Sequence, residues 1–415
     1  MHDMSNQPIP PLETAEIVDI GDGLMLGQCP SGEKIWIAGP CVPGDSVSFV
    51  RQGKRGVLQS VNQPALNRRA APCPHFETCP GCTLQPLFYT RQCEFKTDKI
   101  IQTLRRIGGF KDFEWRGLRA SPEEFGTRNK IDLTLDGPRI GYTNGYELLP
   151  IEDCLLGNAL LREILTTLKP LFQQPHGLHR LTIRTQSDQT RAFVLVRGNP
   201  LPEGFLEHCQ SNSRIAGLFQ QPRKTDPYAC IHGEPALTMH LAGVTHHLRA
   251  DAFFQVHDLQ AEVLVQTAMT WLSESPCGTL LDLFCGVGAF TLPARRLAKT
   301  VLGIDLTPGN GPEFIQADLS QGLPDDPRLT DRSWDAVLTD PPRDGMEKRL
   351  CKQVRDRLKP QRILYISCNP ATLARDLSRF CHENRYRLER VQGFDLFPQT
   401  HHVETLALLR RNESN

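Results

Sequence analysis

Thr279-Leu-Leu-Asp-Leu-Phe-Cys-Gly-Val-Gly-Ala-Phe290 is the stretch that decides the fold. It opens as an apolar run of strand length carrying one acid, Asp282. The loop Cys285-Gly-Val-Gly288 follows, then helical spacing from Phe290 to Ala298, then a second strand, Val301 to Asp305. A strand, a glycine turn, a helix and a strand ending in an acid form a nucleoside-binding unit of a parallel sheet. The glycines let the backbone approach the ligand, and the terminal Asp305 is placed to bind both ribose hydroxyls. Gly-x-Gly alone is weak evidence. Asp282 on the leading strand, with Asp305 at this distance, favours S-adenosylmethionine over a dinucleotide.

Working outward, the whole region from residue 251 alternates strands with helices, the pattern of a doubly wound α/β sheet. Glu313 to Ala317 precedes Asp318, Trp334 to Thr339 precedes Asp340-Pro-Pro-Arg343, and Arg362 to Ile366 precedes Cys368. Each polar candidate stands at the carboxyl end of its strand, where open sheets bind ligands. Arg387 to Phe394 and Val403 to Leu409 close the chain as an antiparallel hairpin. Cys368 is followed by Asn369, a good N-cap, and by Pro370, pre-organised for a first helical turn. A thiol beside the positive end of a helix is expected to have a lowered pKa. On residue type alone a buried structural cysteine is the commoner case; the neighbouring nucleoside unit reverses that.

Upstream, the 415 residues leave room for two further domains. Residues 1–10 are polar and read as a disordered tail. Residues 11–62 carry short alternating runs broken by Gly and Pro, and read as an OB-like antiparallel β-barrel that binds RNA. Cys73-x5-Cys79-x2-Cys82 reads as a metal or iron–sulfur site, with Cys93 or Cys154 as the fourth ligand. Residues 63–250 read as a central, largely antiparallel α+β domain, with an amphipathic basic helix over 95–110. Arg128, Asn129 and Lys130 are either phosphate contacts or a polar start to a strand. The formal net charge is zero, yet thirteen Lys and Arg stand against five Asp and Glu between Arg51 and Arg119. Such a local excess can form a phosphate-binding face. No apolar run approaches the roughly 20 residues of a membrane helix, and no signal peptide is visible. A cytoplasmic location follows, and fourteen cysteines there argue for metal or catalytic thiols rather than disulfides.

The set LDLFCGVGAF, DPPRDG, YISCNPATLARDL and FDLFPQTHHVETLALL resembles the RNA uracil-C5 methyltransferases over nearly the whole chain. The barrel resembles their TRAM domain, and Cys73, Cys79, Cys82 and Cys154 resemble the [4Fe–4S] site of the 23S rRNA branch. The resemblance implies a class I, Rossmann-like catalytic domain over 251–415 with a seven-stranded, mostly parallel sheet. It implies that Gln255, Phe284, Asp305, Asp318 and Asp340, with Gly286 and Gly288 of the turn, bind S-adenosylmethionine. It makes Cys368 the nucleophile and Glu404 the base. A flipped-out uridine in a loop of 23S rRNA is the implied substrate, and a monomer the implied state. Three positions depart from the family pattern. Ala289 replaces a usual Asn, His257 replaces another, and the segment between Asp305 and Asp318 is short, which predicts an open adenine side.

The chemistry needs these groups. Carbon 5 of uracil is a poor nucleophile until a thiolate adds at carbon 6 and makes the ring an enolate. The adduct must then lose its C5 proton, which a carboxylate such as Glu404 can take. Three alternatives remain at this point. They are a tRNA uracil-C5 methyltransferase, an amine-modifying methyltransferase using Asp-Pro-Pro, and a non-enzymatic RNA-binding protein with a degraded cofactor pocket. The amine modifiers usually follow Asp-Pro-Pro with an aromatic residue where this chain has Arg343, and they have no need of Cys368.

Overall fold

The computed structural model describes residues 11–21, 24–66, 68–143 and 147–412, so the expected tail, residues 1–10, lies outside the described residues. The chain divides into two compact units. One comprises Met1–Gln92, Gly141–Glu152 and Gln399–His401; the other comprises Cys93–Ile140, Asp153–Pro398 and His402–Asn415.

The first unit begins with β1 (Leu12–Gly21), β2 (Leu24–Gln28), β3 (Lys34–Ala38), β4 (Ser46–Gln52) and β5 (Arg55–Gln63), closed as a five-stranded barrel in the order β1-β2-β3-β5-β4. Alternation builds it: Ile17, Ile20, Met25, Ile35, Ile37, Val47 and Phe49 are all buried, while most of their strand neighbours are not.

Helix α1 (Tyr89–Arg106) follows, then β6 (Glu114–Arg119) and β7 (Lys130–Asp136). A hairpin of β8 (Arg139–Thr143) and β9 (Leu148–Pro150) leads to α2 (Ala159–Leu168), β10 (Leu178–Thr185), β11 (Ala192–Gly198), α3 (Phe205–Ser211), β12 (Ile215–Gln221) and β13 (Ala229–Gly233). In the second unit β13-β12-β11-β10-β7 lie in that order, antiparallel except for the β11–β12 pair. A separate hairpin, β14 (Leu237–Leu241) and β15 (Val244–Leu248), precedes α4 (Asp258–Ser273).

The large sheet is made by β16 (Thr279–Leu283), α5 (Thr291–Ala294), β17 (Thr300–Asp305), β18 (Phe314–Gln316), α6 (Pro327–Thr330), β19 (Ala336–Thr339), α7 (Lys348–Gln353), β20 (Arg362–Ser367), α8 (Pro370–Cys381), β21 (Tyr386–Phe394) and β22 (Glu404–Arg411). Its strand order is β18-β17-β16-β19-β20-β22-β21-β6, with β18 to β20 parallel and β22 running antiparallel to both neighbours. The sheet therefore has eight strands, not the expected seven. The extra one, β6, comes from the stretch assigned to the central domain and pairs parallel to β21. Physically it covers an edge that would otherwise offer unpaired backbone groups.

Period-2 alternation splits the sheet between two cores. Leu280, Leu338, Leu364, Ile366, Leu406 and Leu408 pack on α4 through Leu264, Val265, Ala268 and Trp271. Leu281, Leu283, Val337, Ile363, Tyr365 and Leu409 pack with Ile100 and Leu104 of α1 and with Leu373, Leu377 and Phe380 of α8. Among the described residues no helix is long and apolar enough to cross a membrane.

Candidate active site

The carboxyl ends of β16, β17, β19 and β20 and the start of β22 converge. Phe284 takes a positive φ of 60° as the chain leaves β16, and Gly286 and Gly288 follow at 53° and 90°. The turn is closed by Gly288 N–H donating to the Cys285 carbonyl at 2.9 Å. A Cβ on Gly288 would come within 2.9 Å of the Phe314 ring, whereas one on Gly286 would meet nothing within 4 Å. Gly288 is thus a packing requirement, and Gly286 presents bare backbone to open space.

Two acids frame the turn. Asp305 accepts the Gly286 N–H at 3.0 Å and the Thr307 N–H at 2.8 Å, so its carboxyl sits over the turn as the sequence placed it. Asp282 is fully buried and accepts the Thr291 hydroxyl at 2.6 Å through Oδ2, while its Oδ1 has no partner among the described residues. Burial, with the Asp340 and Asp305 charges added, pushes it up to about 8. An orphaned buried oxygen beside bare backbone fits a cationic, hydrogen-bonding ligand such as S-adenosylmethionine. Asp318 is exposed and caps its own turn, accepting the Ser320 N–H at 2.9 Å. Gln255 is buried, with its carbonyl taking the Asn129 amide at 3.1 Å. His257, the departure from the usual Asn, caps α4, and its Nε2 lies 2.8 Å from the Ser121 hydroxyl.

Cys368 follows β20, half-buried at the N-terminus of α8. Asn369 caps that helix, accepting the Ala371 N–H at 3.0 Å, with Pro370 at its first position as the sequence predicted. Asn369 and Thr372 also donate to the Arg343 carbonyl, at 3.3 and 3.1 Å, tying the Asp340-Pro-Pro-Arg343 loop to the cysteine. Asp376, buried on α8, accepts the Met346 N–H and the Tyr365 hydroxyl at 2.7 Å each and so holds the far side of the same loop. The β20–β22 ladder ends on the Ser367–Thr405 pair, and Cys368 and Glu404 are the next residue along each chain. Glu404 is buried, and its Oε1 has no partner among the described residues.

These contacts overturn the expected low thiol pKa. Burial first, then the Glu404 and Asp340 carboxylates, push Cys368 up to about 11. The helix terminus was legible in sequence; two acids arriving from other strands were not. The acids are themselves raised, Asp340 up to about 7 by burial and Glu404 well above the usual carboxylate range by burial and by Asp340. His402 is driven down to about 4 by burial and by the cations of Arg343, Lys99, Lys96 and Arg128.

Other expectations fare differently. Cys73, Cys79 and Cys82 belong to the first unit and Cys154 to the second. Among the described residues no three or more His, Cys, Asp or Glu side chains are grouped to hold a metal ion. Several cations of the basic N-terminal third are neutralised internally. Arg51 lies between Glu13 and Glu33 at 2.8 and 3.0 Å, Arg68 pairs with Asp45, and Arg116 with Glu114. Lys96, read as a surface cation, is fully buried against Asp395.

Residues 322–412 match the tRNA (uracil-5-)-methyltransferase family. The 23S rRNA (uracil(1939)-C(5))-methyltransferase RlmD of Alkalilimnicola ehrlichii is 31% identical over 89% of this chain and 90% of its own. The RlmD of Pseudomonas entomophila is 32% identical over 90% of this chain and 88% of its own. The Pyrococcus abyssi tRNA (uracil-54, C5)-methyltransferase, solved with S-adenosyl-L-homocysteine, superposes with a TM-score of 0.74 at 25% identity, over 95% of this chain and 99% of that one. With a glycine turn and acid pair suited to a methyl donor, and a thiol under the charge of a carboxylate, this chain belongs to the RNA uracil-C5 methyltransferases, of the RlmD type, and methylates RNA from S-adenosylmethionine.

Proposed function

We propose that the protein forms 5-methyluridine in 23S rRNA, with Cys368 as nucleophile and Glu404 as base. The observation that supports this reading is the β20–β22 register, whose last pair is Ser367 and Thr405, with Cys368 and Glu404 the next residue along each chain, together with the Glu404 charge acting on the Cys368 thiol. The large-subunit assignment is supported by the names of the RlmD relatives; a tRNA substrate is the second reading, favoured by the Pyrococcus structure.

The target base leaves its stack to reach the half-buried thiol. Cys368 loses its proton to solvent and the resulting thiolate bonds to uracil C6, moving the C5–C6 π electrons toward C5 and the C4 oxygen. The bound S-adenosylmethionine supplies an electrophilic methyl on a sulfonium sulfur, and C5 takes that methyl. Glu404 then accepts the C5 proton, the C5–C6 double bond reforms, and the bond from C6 to Cys368 breaks. A base held at raised pKa is well matched to this last transfer, and such help is worth on the order of 10² to 10⁴ in rate. Gln255, Phe284, Gly286, Gly288, Asp305 and Asp318 are assigned to the methyl donor, and Asp340 to the base or the donor. Arg343, Arg128 and Lys99, gathered round His402, supply positive potential for flanking phosphates. The five-stranded barrel is assigned to RNA binding as a TRAM-like module.

The test is incubation with RNA carrying 5-fluorouracil, because fluorine at C5 blocks the proton loss. A covalent complex requiring both Cys368 and S-adenosylmethionine is expected; methyl transfer surviving C368A would end the mechanism. Mapping 5-methyluridine in 23S rRNA and tRNA from a deletion strain separates the two substrates. A [4Fe–4S] cluster on Cys73, Cys79, Cys82 and Cys154 rests on the spacing of the first three cysteines and on the resemblance that adds Cys154, and iron and sulfide analysis of anaerobically purified protein tests it.

A further inference from the structure

The loop that delivers Glu404 is anchored by a cation with no solvent access. The Lys96 ammonium lies 2.6 Å from Asp395 Oδ1 and 3.0 Å from the Phe397 carbonyl, and both Lys96 and Asp395 are fully buried. Asp395 Oδ1 also accepts the Phe397 N–H at 3.2 Å. These residues bracket Glu404 closely. Asp395 directly follows Phe394, the cross-strand partner of Glu404. The Phe397 ring meets His402 edge-on, with centroids 6.1 Å apart, two residues before Glu404. One turn earlier on α1, Gln92 donates to Gln399 Oε1 at 3.0 Å and accepts the Gln399 N–H at 3.1 Å.

Such a pair is a poor way to gain stability. Desolvating both ions costs about as much as their attraction returns, and apolar substitutes of similar volume are often as good or better. What an ion pair supplies and an apolar contact does not is a fixed direction. Here that direction fixes the first residues of the loop whose last residue is followed by Glu404.

We propose that Lys96 is a positioning residue for Glu404: through Asp395 and the Phe397 carbonyl it sets the 395–403 loop so that the carboxylate meets the C5 proton. The proposal rests on the reading of Glu404 as base. It separates two steps of one reaction, since methyl transfer needs Cys368 and the donor whereas release of the adduct needs Glu404.

The experiment uses full-length K96M, the double variant K96M/D395L and E404Q, in single turnovers with uridine-containing RNA and labelled S-adenosylmethionine. Methyl incorporation and the protein–RNA adduct that survives denaturing gels are followed together. In the Lys96 variants the ratio of release rate to transfer rate is expected to fall about 10- to 100-fold, the scale of an ångström-sized misplacement, with methylated adduct accumulating. The double variant leaves no unpaired buried charge, and it decides the matter if K96M does not fold. If E404Q accumulates adduct while the folded double variant keeps the wild-type ratio, or slows both steps equally, the proposal is overturned and the base assignment stands. If E404Q releases product at the wild-type rate, the base assignment falls and the proposal with it.

Discussion

Asp282 offers a prediction that follows chiefly from its burial. The carboxyl is fully enclosed, one oxygen lacks a partner among the described residues, and its pKa is raised from 3.8 to about 8. The folded state therefore binds a proton more tightly than the unfolded chain. For an acid shifted in this direction, stability is greatest where both states are protonated and declines as pH rises from the unfolded value towards the folded one. Between pH 5.5 and pH 7.5 this one group removes on the order of 2–3 kcal/mol. Asp282→Asn keeps an acceptor for the Thr291 hydroxyl and removes the titration. The variant's stability relative to wild type should therefore improve by that amount on going from pH 5.5 to pH 7.5. The change with pH is the quantity fixed by the argument, because the amide's unpartnered donors add a pH-independent cost of about 1–3 kcal/mol. Urea denaturation followed by circular dichroism at the two pH values measures it. An advantage of Asp282→Asn that is equal at both, or larger at pH 5.5, would show that Asp282 is ionised in the folded protein and refute the reasoning.

Burial and Asp340 raise the Glu404 pKa well above the usual carboxylate range, so with Glu404 as the proposed base, release of the methylated adduct should accelerate as pH rises through it; a quench-flow series in which release slows with pH would remove it as base. Gly286→Ala should cost the fold only about 1–2 kcal/mol for its left-handed backbone, because nothing lies within 4 Å of the added methyl. Binding of S-adenosylmethionine by equilibrium dialysis should nonetheless fall. Gly288→Ala, with Phe314 only 2.9 Å from the new Cβ, should lower the melting temperature further than Gly286→Ala. K96M strands the buried Asp395 charge and should cost about 3–5 kcal/mol in a denaturation midpoint series, most of it recovered in K96M/D395L.

What the sequence made legible was local. Strand, glycine turn and acid occupy residues 279–305, and the cap and proline at Asn369 and Pro370 adjoin the thiol they serve. What it hid depends on pairings across long separations. Residues 114–119 carry charges and a glycine and fall in the stretch assigned to the central domain, yet they complete the sheet because β21 has an edge to cover. Lys96 stands in a basic helix like its neighbours Lys99, Arg105 and Arg106, and only Asp395, 299 residues away, makes it an interior residue. The thiol misreading has the same origin, and it bears on mechanism. A helix terminus alone would favour thiolate, but Glu404 and Asp340 arrive from β22 and the end of β19 and reverse the sign. Thiol, Asp340 and Glu404 are each shifted toward the protonated form by burial in the ligand-free protein, and a cationic donor bound beside them would shift each back toward ionisation. Cys368 and Glu404, the nucleophile and base proposed above, also flank the last pair of one ladder. A slip of one residue between β20 and β22 would send the Glu404 side chain to the opposite face of the sheet. On the proposed mechanism the hairpin of β21 and β22 is therefore part of the catalytic apparatus, and the loop joining its strands begins at the buried Lys96–Asp395 pair.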